Sequence, residues 1–114
     1  MSIESTRYVW NNSKAKGTDR LVLLSIADMA DDFGDAFPGI TRISIKCMLS
    51  ERSTQESIKT LEELGELQVF PNCGYKTSHG RTNLYRVVMD GVQHMDVIGD
   101  DGRVCTPRRG VQKF

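Results

Sequence analysis

The chain has 114 residues, of which 39% are hydrophobic and 26% are charged. This length suits one domain with a modest core, and the composition excludes a disordered or fibrous protein. The 15 basic and 15 acidic residues cancel. The chain therefore has no net field that attracts phosphate, and any basic surface must come from the spatial arrangement of its residues.

The cysteine count and the hydropathy pattern indicate the cellular compartment in which the protein is expected. Cys47, Cys73 and Cys105 are odd in number and include no C-x-x-C pair. This pattern predicts neither a disulfide framework nor a zinc finger, and it favours a reducing setting. No signal-peptide pattern occurs, and no window approaches the roughly 18 apolar residues of a membrane-spanning helix. We expect a cytoplasmic protein without membrane contact.

An N-terminal arm and a helix are predicted first. Residues 1–18 form the arm, in which Tyr8, Val9 and Trp10 are expected to cover an edge of the core. Thr18 or Asp19 can then cap a helix that continues to Phe33, and Gly34 can end it in a left-handed conformation. Apolar residues recur through this helix at helical spacing: Val22, Leu23, Ile26, Ala27, Ala30 and Phe33.

Two closely spaced helices follow the loop DAFPG. The segment ITRISIKC predicts a short helix with Ile40, Ile43 and Cys47 on one side. Ser50 is a good N-cap for the next helix, ERSTQESIKTLEEL, and Gly65 is placed to end it. That helix is expected to bury Thr54, Ile58 and Leu61. Only Met48 and Leu49 separate the two helices, which is the spacing of a helix-turn-helix whose second helix can enter a major groove.

After Gly65 the pattern becomes extended. The segments ELQVF and NLYRVVM predict two strands, and the turn-rich run NCGYKTSHGR between them predicts a hairpin with a polar tip. Phe37, Tyr85 and Val87 are assigned to the core. Residues 90–114 lose periodicity and are expected to form an extended tail or linker. Its basic ending, PRRGVQKF, could contact phosphate, dock on the domain or lead into a further domain.

The order of these segments resembles the winged helix-turn-helix domain at the front of phage and bacterial replication-initiation proteins. The resemblance covers about residues 19–89. It implies an α+β fold, a winged helix of three helices followed by a β-hairpin wing, and it implies duplex DNA binding through the second helix of the motif and the wing. The matching features are Ala27, Asp28, Gly34, Ala36 and Pro38, the helix start from Ser50 to Ile58, the LEELG ending from Leu61 to Gly65, and the TNLYRV strand from Thr82 to Val87.

Candidate DNA-binding side chains follow from this arrangement, because Arg, Lys and Gln suit base edges and phosphates. Arg52, Gln55 and Lys59 share one predicted helical face, although that face could equally be a solvated one held by pairs four residues apart. Glu56 could accept from cytosine. The full candidate set is Arg42, Lys46, Ser50, Arg52, Ser53, Gln55 and Lys59 on the helices, with Lys76, His79, Arg81 and Asn83 on the hairpin.

No sequence motif indicates catalysis or metal binding. No P-loop, G-x-S-x-G or H-E-x-x-H occurs, and the run Asp28, Asp31, Asp32, Asp35 lacks the order of a calcium loop. His79 and His94 are too scattered beside Cys73 for a metal site. We therefore expect no enzyme activity and no cofactor.

Two functions remain open for this chain. One is DNA binding in replication initiation or transcription regulation, in a bacterial cell or a phage-infected host, with double-stranded DNA and replication or regulatory proteins as partners. The other is a protein-interaction module, acting through dimerisation or as a phage-encoded inhibitor of a host protein. The zero net charge favours the second.

Overall fold

The structure is a computed structural model that describes residues 3–31, 33–74, 76–78, 80–91, 94, 96–99 and 102–108. It confirms the α+β class, with four helices and three small antiparallel sheets within those ranges. None of these helices is both long enough and apolar enough to cross a membrane. The helices are α1 (Ile3–Asn12), α2 (Gly17–Met29), α3 (Ile40–Cys47) and α4 (Glu51–Glu63).

Helix α1 lies in the segment that was expected to be an irregular arm. Its sequence has weak helix propensity, but tertiary contacts with α2 and the following turn stabilise it. The Ser5 hydroxyl donates to the Asp31 carbonyl at 2.9 Å, and Val9 is fully buried. Val9 therefore joins the core as expected, Tyr8 packs against it in part, and Trp10 remains exposed.

Helix α2 begins and ends earlier than its periodicity predicted. Lys16 is its N-cap and makes no side-chain cap bond, so the prediction of a cap at Thr18 or Asp19 was wrong. The helix stops at Met29 because the Asp31 carboxylate accepts from the backbone N–H groups of Phe33 and Asp35, which favours a turn over another helical turn. Phe33 is consequently half exposed rather than buried.

The main sheet has the strand order β1 (Asp35–Ala36), β5 (Leu84–Val87), β2 (Leu67–Phe70), all antiparallel. Both predicted strands are thus confirmed, while β1 lies in the segment predicted as a loop. Tyr85 and Val87 face the helices and belong to the main core, as expected. Gly34 precedes β1 at φ 88°, so close to Val87 that a Cβ would lie 2.6 Å from its carbonyl oxygen.

The other face of this sheet is covered by the C-terminal segment, which was expected to be extended. Strands β6 (Val97–Ile98) and β7 (Val104–Cys105) form a hairpin, and Val97 and Cys105 pack on Phe70 and Leu84. Phe37 joins this second cluster, half buried. Of the predicted tail, residues 92, 93, 95, 100, 101 and 109–114 lie outside the described part of the chain.

A disulfide between Cys73 and Cys105 attaches this hairpin to the loop after β2. The expectation that the three cysteines would form no disulfide was therefore wrong. An odd count does not prevent two of three cysteines from pairing, and the third, Cys47, is free and buried. The argument for a reducing compartment rested on unpaired cysteines and no longer holds.

Replacing Cys105 with Ser should lower the free energy of unfolding by about 4 kcal/mol, because the bond closes a loop between cysteines 32 positions apart and restricts the unfolded chain. Denaturant unfolding under non-reducing conditions measures this loss. Cys73→Ser should give the same loss, and the double variant should lose no more than either single one. Additive losses would contradict the prediction, since they would indicate disturbed packing instead of a missing bond.

Candidate nucleic-acid interface

The turn between α3 and α4 is fixed by local hydrogen bonds. Met48 adopts a left-handed conformation at φ 56° and ψ 44°, and the Leu49 N–H donates to the Ser44 carbonyl at 2.9 Å. The Ser44 hydroxyl donates to the buried Thr54 hydroxyl at 3.0 Å and so joins the two helices. These bonds hold α3 and α4 in a helix-turn-helix arrangement.

Ser50 caps α4 as predicted, because its hydroxyl accepts from the Ser53 N–H at 3.1 Å. The two hydroxyls also lie 3.0 Å apart in a hydrogen bond. Both serines therefore have a structural role at the start of α4. A phosphate contact by either remains a prediction.

Helix α4 buries Thr54, Ile58 and Leu61, which confirms its predicted inner face. Its outer face carries Arg52, Gln55, Glu56 and Lys59. Arg52 pairs with Glu56 at 3.5 Å, and the side chain of Arg52 is 90% exposed. An ion pair this exposed contributes little to stability, so Arg52 can readily exchange Glu56 for another partner. The outer face is thus solvated in the free protein, with its basic groups accessible.

A cleft of about 490 Å³ lies between α4 and the sheet. Gln55 and Lys59 line it from the helix, and Asn83 and Tyr85 line it from the segment that leads into and forms β5. The Asn83 side-chain oxygen accepts from the Asn72 N–H at 3.2 Å, which fixes the side chain at the cleft. The structure therefore brings together three of the predicted site residues, Gln55, Lys59 and Asn83.

Arg108 enters the same cleft from the C-terminal segment. Its Nη2 and Nε donate to the two carboxylate oxygens of Glu62, at 2.5 and 3.3 Å. The Glu62 side chain is only 1% exposed, whereas that of Arg108 is 44% exposed. The hydrogen bond that Arg108 donates to Glu62 raises the pKa of Arg108 above its ordinary value. A charged guanidinium is thus anchored beside α4.

The short hairpin between β2 and β5 carries two more predicted residues. Strands β3 (Lys76–Thr77) and β4 (Gly80–Arg81) pair so that Lys76 lies opposite Arg81. The two side chains therefore occupy opposed positions of one hairpin. His79, the other predicted hairpin residue, lies outside the described residues.

Arg42 and Lys46 lie elsewhere, on α3, beside an acidic cleft. That cleft is lined by Asp28, Asp31 and Asp35 as well as by these two cations, and Lys46 forms an ion pair with Asp28. Neither cation lines the cleft beside α4. No group of three or more His, Cys, Asp or Glu side chains in the described part of the chain could hold a metal ion.

Sequence reasoning missed two residues of the cleft, Tyr85 and Arg108. Tyr85 was assigned only to the core, and its ring is indeed buried while its edge reaches the cleft. The signal for Arg108 was the basic ending PRRGVQKF. That signal left docking as one of three alternatives and gave no indication of where on the domain the segment would lie.

A family model described as a helix-turn-helix domain matches residues 16–66. Residues 16–66 are similar to that domain. The match begins at the N-cap of α2 and ends before β2, so it includes both helices of the motif and excludes the cleft residues on β5 and in the C-terminal segment. No curated protein and no solved structure is significantly similar to the chain.

Replacing Met48 with Gly should raise the free energy of unfolding by about 0.5–1 kcal/mol. The change relieves a left-handed conformation that costs an L-residue about 1–2 kcal/mol, and the added entropy of glycine in the unfolded chain offsets only part of that gain. Met48 is 91% exposed, so little packing is lost. Thermal or denaturant unfolding measures the gain. Asn72 is the other left-handed non-glycine residue among those that the structure describes. Asn72→Gly should gain less because Asn tolerates this conformation; a less stable Met48→Gly variant would contradict the prediction.

Tyr85 should ionise at higher pH than an ordinary tyrosine, because burial raises the pKa of its phenol. The folded state then holds this proton more tightly than the unfolded state does. The free energy of unfolding should therefore fall as the pH rises above the unfolded tyrosine value of about 10. The phenolate absorbance should show a delayed component that Tyr85→Phe removes and Tyr8→Phe retains. A delayed component that survives in Tyr85→Phe would overturn the assignment.

Proposed function

We propose that this chain binds double-stranded DNA as a winged helix, with α4 in the major groove and the β3–β4 hairpin as the wing. The observation that carries the proposal is the convergence of Gln55, Lys59 and Asn83 on one cleft beside α4. Amide and ammonium groups of this kind hydrogen-bond to base edges and phosphates. The match of residues 16–66 to a helix-turn-helix domain supports the same function.

The distribution of charge supports this orientation on DNA. No carboxylate lines the cleft beside α4, whereas three aspartates line the cleft beside α3. Lys76 and Arg81 add cations on the hairpin, where a wing would follow the backbone. A chain with no net charge can therefore present a cationic face to a duplex. Arg52, at the exposed start of α4, is our candidate for a direct base contact.

The proposed role is binding without catalysis, in replication initiation or in transcription regulation. Both roles require a duplex reader that acts beside other proteins, so the interface residues are the same for either one. A DNA fragment from the chain's own genomic neighbourhood, compared with a random duplex, tests whether binding is sequence-specific.

A protein-interaction role is the second candidate, and exposed apolar side chains favour it. Ile45 is 72% exposed and Met48 is 91% exposed, and both lie at the end of α3. Such residues suit contact with another protein or a second copy of this chain. The DNA-binding experiment separates the two candidates, because a protein-interaction module would show no salt-dependent affinity for duplex DNA.

Lys59→Gln should weaken binding to random duplex DNA and should reduce the slope of log affinity against log salt by about 0.9, the value for one phosphate contact. Fluorescence anisotropy across a salt series measures both quantities. Lys16→Gln is the matched control, since Lys16 is exposed and does not line the cleft. Equal affinity and salt slope for the wild type, Lys59→Gln and Lys16→Gln would contradict a phosphate contact by Lys59. Absence of binding by the wild type at low salt would contradict DNA binding itself and favour the second candidate.

A further inference from the structure

The C-terminal segment follows a defined path around the edge of the main sheet. Cys105 lies on the outer face, held by its disulfide to Cys73. Three residues later the Arg108 N–H donates to the Val69 carbonyl at 2.7 Å. Since β2 is an edge strand of its sheet, this bond satisfies an outward-facing carbonyl there. The segment thereby passes from the outer face of the sheet to the side that carries α4.

The pairing with Glu62 orients Arg108 without using all of its donors. Glu62 accepts through both carboxylate oxygens, from Nε and Nη2 of the guanidinium. A guanidinium has five N–H groups in a rigid plane, so this side-on pairing leaves three of them, including both on Nη1. The Glu62 carboxylate is buried and the Arg108 guanidinium is partly exposed. Glu62 therefore holds one edge of the guanidinium, and the opposite edge is accessible.

The cleft offers a set of donors that suits a phosphate group. Lys59 and Arg108 contribute cationic donors, and Gln55 and Asn83 contribute amides. No aspartate or glutamate lines the cleft. Lys59 has no ion pair with any described residue. Arginine and lysine are the side chains best suited to phosphate oxygens, and arginine can contact two oxygens at once.

We propose that this cleft holds one backbone phosphate of the bound duplex, and that Arg108 contacts it as a third element of the DNA interface beside α4 and the hairpin. The inference rests on the proposed DNA binding and adds a contact from outside the segment that matches the helix-turn-helix domain. Glu62 is a positioning residue in this arrangement, because it orients Arg108 from the buried side.

The decisive variant is the double substitution Glu62→Gln with Arg108→Gln. It removes one acidic and one basic group, so the net charge of the chain stays unchanged, and it leaves no buried carboxylate without its arginine. With random duplex DNA at low salt, we expect about a tenfold loss of affinity. We also expect the salt slope to fall by about 0.9, because one fewer phosphate is neutralised. A purely structural role for the pair would leave the slope unchanged.

Arg103→Gln is the matched control. Arg103 lies in the β6–β7 connection and does not line the cleft, so this variant lowers the net charge by one while retaining the proposed contact. Its affinity and slope should stay near those of the wild type. Circular dichroism and thermal unfolding of each variant show whether the fold is retained. If the double variant unfolds, Arg108→Lys replaces it, and we expect loss of affinity with the slope retained, because a lysine preserves the charge without the planar donor edge.

The outcomes separate this inference from the proposed function. Weaker binding in Lys59→Gln, together with wild-type affinity and slope in the Arg108 variants, would overturn only the Arg108 contact. A slope that falls equally in Arg103→Gln and in the double variant would also overturn it, since a general contribution of basic residues in the C-terminal segment would then be responsible. A wild-type chain that does not bind duplex DNA would overturn both proposals.

Discussion

Burial of the central strand β5 on both faces is the constraint on which the other layers depend. Its four residues are all buried, and they alternate between the face that packs on the helices and the outer face of the sheet. The outer face includes Arg86, whose charge requires a partner and finds it in Asp35 at 2.7 Å. One helical layer covers only one face of a sheet. The C-terminal hairpin supplies the second cover through Val97 and Cys105, so it is part of the folded unit.

This second cover also determines which charges lie beside α4. A segment that leaves the outer face next to β2 passes the edge of that strand, and the next side chains then lie beside α4. In this way Arg108 pairs with Glu62, although the two residues are 46 positions apart in the sequence. Other opposite charges are likewise paired away from the cleft, as Lys46 is with Asp28. A chain with a net charge of zero therefore contains a cleft that is lined by two cations and no carboxylate.

The parts of the fold that sequence could predict are those determined by local chemistry. The cap at Ser50, the buried face of α4, the left-handed Gly65 and the strands β2 and β5 all depend on residues within one or two turns of each other. The end of α2 was misplaced because the Asp31 carboxylate competes for backbone donors that a periodicity count ignores. Helix α1 was missed since its stability comes from packing on α2, and the hairpin of the C-terminal segment depends on contacts more than 30 positions away.

The same distinction between local and long-range determinants applies to the candidate site. A helical wheel places Arg52, Gln55 and Lys59 on one face of α4, and the structure keeps them there. The wheel cannot show what lies opposite that face, because the opposite wall comes from Asn83 and from the C-terminal segment. The position of a basic residue near α4 therefore indicates its role only once its partner is known. Lys46 has a partly exposed carboxylate partner beside α3, whereas the partner of Arg108 is buried and Arg108 itself lines the cleft with donors to spare. That difference in burial, and not the density of basic residues along the chain, is the basis on which we propose a phosphate contact for Arg108 and none for Lys46.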